Sequence, residues 1–142
     1  MLHSAALVVH VLVAVLGIGL VGAIPVTARV ARRSKGELFG IDAVLGTLLL
    51  TVQFGMLAML LTGVLLDLSV AGAFHRTGWF KASIALVAVI GVSLARARTA
   101  LRLALEPGGV RRVALGRVER WGWAICASVA LVTILMQAKL LP

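Results

Sequence analysis

The stretch AVLGTLLLTVQFGMLAMLLTGVLL, residues 43–66, runs for twenty-four residues without a charged side chain. As a helix rising ~1.5 Å per residue it is long enough to cross a hydrocarbon core of ~30 Å. A second such run, Ala5 to Val26, covers twenty-two residues. The whole chain agrees with these two runs: 61% of its 142 residues are hydrophobic and 13% are charged, with a mean hydropathy of +1.10. A soluble fold could not hide that much apolar surface. The sequence therefore predicts an all-α integral membrane protein.

Outward from these runs, the charges mark the helix ends. Arg29, Arg32, Arg33 and Lys35 follow the first run, and Arg96, Arg98, Arg102, Arg111, Arg112, Arg117 and Arg120 lie between the third and fourth apolar segments. Only Arg76, Lys81 and Lys139 fall at the opposite ends. Basic connections stay in the cytoplasm, so both termini are expected outside. Four transmembrane helices are predicted, at about 4–28, 38–68, 79–102 and 119–141, in one domain covering residues 1–142. Short connections favour an up-down-up-down bundle. Pro107-Gly108-Gly109 breaks the helical pattern, and the basic stretch after it is expected as a cytoplasmic loop with a short surface helix at most. Trp79 with Phe80, and Trp121 with Trp123, occupy interfacial positions. No basic segment precedes the first apolar run, as a cleaved signal peptide would require, so that run is expected to stay as the first helix.

Several function classes drop out. A formal charge of +9 suits a nucleic-acid-binding domain, but here the charge sits at helix ends, where it orients the chain and attracts anionic headgroups. No nucleic-acid partner is expected. The single cysteine, Cys126, leaves no intrachain disulfide and no cysteine-pair metal site. No phosphate-binding loop, zinc-protease motif or supported nucleophilic serine is present, and no chain of acids or histidines crosses the membrane.

The candidate residues lie on two small-residue faces. His3, Ala6, His10, Ala14 and Gly17 share one face of the first helix, and Asp42, Gly46, Gln53, Met56, Leu60, Gly63 and Asp67 share one face of the second. His10 lies ~10 Å below the outer end of its helix, and an ionisable group at that depth is a functional candidate by default. Its neutral imidazole suits a haem iron or a copper ion, with Met59 or Met136 as thioether partner. The alternative is a structural hydrogen bond to a backbone carbonyl or to Gln53. His3 and His75 at the outer surface form a weaker candidate metal pair. Gln53 is expected to join two helices, and Asp42 to pair with the Arg29–Lys35 cluster.

The segment Leu61-Thr62-Gly63-Val64-Leu65-Leu66, followed by Gly78-Trp79-Phe80-Lys81-Ala82-Ser83-Ile84-Ala85-Leu86, resembles the CopD-type copper-resistance membrane domain. It is similar also to uncharacterised four-helix membrane proteins and to HemJ-type protoporphyrinogen oxidases. Together with His10, the resemblance covers residues 3–95. It implies a small protein of the bacterial inner (plasma) membrane and, on the HemJ side, b-type haem held with a second intramembrane histidine. Helices two to four contain no histidine, which leaves five-coordinate, His/Met or dimer-shared ligation. Two readings follow. The first is a non-catalytic accessory or scaffold subunit, packed in the lipid bilayer against other membrane subunits or copies of itself. The second is a redox-associated protein binding haem or copper through His10.

Overall fold

The computed structural model describes residues 2–34, 40–70, 72, 77–106 and 110–138, without the side chains of Leu2, His3, Ala6, Ile18, Met136, Gln137 and Ala138. It is all-helical over these residues: α1 (Leu2–Ile18), α2 (Ala23–Arg33), α3 (Ile41–Ser69), α4 (Gly78–Leu105) and α5 (Arg111–Ala138). Three helices are long and apolar enough to cross a membrane, within Ile41–Ser69, Gly78–Leu105 and Arg111–Leu135, and Leu7–Gly17 is a shorter apolar helix.

Two boundaries differ from the sequence expectation, each for a local reason. The first predicted helix is broken between α1 and α2. Gly17, Gly19 and Gly22 weaken it there, and Pro25 has no N–H to return to the Val21 carbonyl. The chain bridges the break with tighter bonds, Ala23 N–H to Leu20 O at 3.1 Å and Ile24 N–H to Val21 O at 3.2 Å. At the other end, α5 begins at Arg111 instead of Glu119. The basic stretch expected as a loop forms the opening turns of that helix, whose arginines need no membrane to be helical. Pro107, Gly108 and Gly109 lie outside the described residues.

The break lets the chain change partners. On one side α1 runs antiparallel to α3: His10 meets Thr62, and Gly17 meets Gly55. Beyond it α2 runs antiparallel to α5, where Val21 meets Cys126, Pro25 meets Gly122 and Arg29 meets Glu119. The Cys126 thiol donates to the Val21 carbonyl at 3.7 Å, alongside the Ile24 N–H. The Pro25 ring seats on Gly122, where even a methyl group would lie 3.0 Å from the ring.

The buried core sits in the half of the molecule that carries the basic residues. Leu45, Leu49 and Val52 of α3, Ile90, Leu94, Ala97, Leu101 and Ala104 of α4, and Leu115, Val118 and Ile125 of α5 recur at three- and four-residue steps and close around Ile24 and Ala28 of α2. Alanines on α4 and Ala114 on α5 let these two backbones come close. The other half is open. On α1 the side chains of Val8, Val11, Leu12, Val15 and Leu16 are exposed, as are Phe54, Leu57, Leu61, Val64 and Leu65 on α3.

Candidate functional site

Polar side chains join these helices in both halves. In the open half the His10 ring reaches α3, with Nδ1 2.7 Å from the Thr62 hydroxyl. Thr62 donates its one proton back along its helix to the Ala58 carbonyl at 2.8 Å, the usual habit of helical threonine. In that arrangement its oxygen accepts from His10 in the tautomer protonated at Nδ1, and the free lone pair of this tautomer is on Nε2. Gly63 makes room for the ring, since a Cβ there would meet His10 Cε1 at 3.8 Å. His10 is thus tied to Thr62, and among the described residues neither Gln53 nor a backbone carbonyl holds it.

The two small-residue faces are legible only in part. His10 and Gly17 do face α3, but the closest approach of the two backbones is at Gly55, about two turns from Gly63. Gln53 and Met56 turn the other way, toward α4. The Arg98 guanidinium donates to Gln53 Oε1, and Met56 reaches Gly91. Met59 is half-buried and lines a cavity of about 60 Å³ with Gly17, Val52, Gly55, Ile90 and Val129. His10 is not part of that lining. His75, and the side chains of His3 and Met136, lie outside what the structure describes. Among the described residues no three of His, Cys, Asp and Glu come together as a metal-binding group.

In the packed half the charges are paired differently from the sequence expectation. Asp42 bonds Arg111 Nη2 through both carboxylate oxygens, at 2.9 and 3.1 Å, whereas it was expected to meet the Arg29–Lys35 cluster. That cluster has another anion. Glu119 of α5 is buried, its side chain 8% exposed, and receives Arg29 Nε at 2.7 Å and Arg32 Nη2 at 2.9 Å. A pairing ninety residues apart leaves no local trace. The available signal was that Glu119 is the one acid between Arg111 and Lys139.

The chain matches no family model, no curated protein and no solved structure. His10–Thr62 locks α1 to α3, Glu119 with two arginines locks α2 to α5, Asp42–Arg111 ties α3 to α5, and Gln53–Arg98 ties α3 to α4. Each of these polar groups bridges two helices.

Proposed function

We propose that the chain is a four-span protein of the bacterial inner membrane, with both termini outside, that acts as a non-catalytic accessory or scaffold subunit through helix packing. The observation that carries this reading is the use of polar side chains. His10, Gln53, Asp42 and Glu119 each hold one helix to another, while the apolar faces of α1 and α3 in the open half stay exposed. Such faces suit lipid and neighbouring membrane helices alike. In this reading α1 and α2 together form the first span, and the basic ends of α2, α4 and α5 face the cytoplasm.

Photo-crosslinking residues at Leu12 and Leu61, which are 55% and 59% exposed, test the scaffold role in native membranes. Protein adducts, to a second copy or to another membrane subunit, are expected. Lipid adducts alone at both positions, with a monomer at every protein concentration, would sink the reading. Orientation has its own measurement, with cysteines at Gly78 and Val110 in a Cys126→Ala background. The first is expected to react with an impermeant maleimide on intact cells and the second only after lysis. The reverse pattern would invert the topology.

In the tautomer protonated at Nδ1, the free lone pair on His10 Nε2 supports a second reading, in which this nitrogen binds copper or haem. A hydrogen bond on the other ring nitrogen is what orients ligating histidines elsewhere. The cavity beside Met59, about 60 Å³, is well below the ~300–1,000 Å³ of typical small-molecule sites. A porphyrin does not fit there. His10→Leu separates the two readings. If His10 is a ligand, a Soret or copper absorbance of the gently solubilised parent disappears in the variant, which stays folded. If it is structural, a colourless parent loses about 1 kcal/mol with the Thr62 bond. A coloured parent with an unchanged spectrum in His10→Leu rules His10 out as the ligand.

A further inference from the structure

The arginines of the basic half fall into three groups, one of which, Arg33, Arg102 and Arg112, is exposed outside the groove between α4 and α5. Arg29 and Arg32 are held by Glu119, Arg111 by Asp42, and Arg98 bonds Gln53. Arg96, Arg117 and Arg120 have no ion pair or hydrogen bond among the described residues, yet all three line one groove of about 520 Å³ between α4 and α5. The groove follows from helical spacing. Arg96, Thr99 and Leu103 recur along one face of α4, and Arg117, Trp121 and Ala124 along the facing side of α5. Small residues, Ala100 and Ala124, complete its lining. Thr99 spends its hydroxyl proton on the Ala95 carbonyl at 3.0 Å, so the donors left in the groove are three guanidinium groups and the Trp121 indole N–H.

No described carboxylate neutralises this site. Glu119 is committed to α2 and Asp42 to Arg111, Glu106 makes no ion pair at the end of α4, and Asp67 lies at the far end of α3. Three cations sharing a groove with no anion among the described residues repel one another, and a bound anion would relieve that repulsion. Guanidinium forks and an indole N–H suit phosphate oxygens.

The surface beyond the groove identifies the kind of phosphate. One and two turns outward from Arg96, the same face of α4 presents exposed Val92 and Val89, and two turns beyond Ala124 the facing side of α5 presents exposed Leu131. A phosphate site that runs into an apolar furrow along the helix axes has the layout of a lipid, with a headgroup at one end and acyl chains at the other. We infer that the groove between α4 and α5 is a binding site for the phosphate headgroup of an anionic phospholipid, held by Arg96, Arg117 and Arg120 with Trp121. Basic pockets between membrane helices on the cytoplasmic side hold such headgroups in the same way.

The site is distinct from diffuse attraction to a charged bilayer, and one comparison separates them. The triple variant Arg96→Gln/Arg117→Gln/Arg120→Gln removes three charges from the groove. Arg33→Gln/Arg102→Gln/Arg112→Gln removes three from exposed arginines outside it. Each protein, purified in neutral detergent, is titrated with phosphatidylglycerol, diphosphatidylglycerol or phosphatidylcholine, and bound lipid is counted by native mass spectrometry. The parent is expected to prefer the anionic lipids by about tenfold or more. The groove variant should fall to within about twofold of parity, and the control should keep the preference. An equal loss in both triples, or no loss in the groove variant, overturns the site. If the groove triple does not fold, the single variants decide. Each of the three groove singles should lower the preference and none of the three control singles should, and a failure of either half overturns the site. Inorganic phosphate is the second arm. Arginine-dependent displacement of lipid by millimolar phosphate, with phosphate binding equally well to lipid-free protein, would make the ligand free phosphate and overturn the lipid assignment.

Discussion

Gly55→Val is expected to separate α1 from α3 and to cost about 1–3 kcal/mol or more, the range seen when a packed contact is overfilled. The reason is that the obstacle is backbone. A Cβ on Gly55 would lie 2.8 Å from Gly17 Cα, and one on Gly17 would lie 3.1 Å from Gly55 Cα. Neither partner has a side-chain rotamer to give, so the helices must part. About two turns further out, the His10–Thr62 bond at 2.7 Å does not survive a shift of that size. Two other glycines of α3 serve as controls. At Gly46 an added Cβ meets nothing within 4 Å, and at Gly63 it meets only His10 Cε1 at 3.8 Å. Gly46→Ala and Gly63→Ala should therefore be close to neutral. Unfolding by denaturing detergent, followed by circular dichroism, gives the order directly. A Gly55→Val protein as stable as Gly46→Ala would mean that α1 does not pack on α3 in this register.

What the sequence discloses and what it hides divide along physical lines. Length and apolarity are properties of single segments, so α3, α4 and most of α5 are legible from the hydrophobic runs, and the charge pattern marks their ends. The break at residues 19–22 is hidden because the apolar run continues through it. Glycine and proline are common enough in membrane helices that their presence does not announce a break. The start of α5 lies earlier for the opposite reason: a basic stretch after Pro107-Gly108-Gly109 reads as a loop, although arginine is a good helix former. On α1, period alone turned His10 and Gly17 toward a neighbouring helix correctly. It could not say which glycine of α3 receives Gly17, because a uniformly apolar helix with Gly46, Gly55 and Gly63 offers several registers of similar hydrophobicity. Register was decided by a backbone contact, which only the fold supplies.

The arginines facing Glu119 are expected to matter more than Glu119 itself. Removing both cations with Arg29→Ala/Arg32→Ala leaves a carboxylate whose side chain is 8% exposed, with no partner to offset its lost hydration. Breaking a buried pair in that direction costs about 3–5 kcal/mol. The reverse change is milder. In Glu119→Gln the arginines left behind are 47% and 37% exposed, so they can turn to water or headgroups, and the new amide oxygen still accepts from Arg29. A loss of about 1–2 kcal/mol is expected, close to that of a partly exposed ion pair with its hydrogen bond. The triple variant Arg29→Ala/Arg32→Ala/Glu119→Leu then tests the cause, because it removes the stranded carboxylate and restores an apolar contact between α2 and α5. It should recover most of the stability lost in the double variant. Unfolding titrations of the four proteins in one detergent give this order, and a triple no better than the double would show that the arginines act through packing of their stems and not through the charge of Glu119.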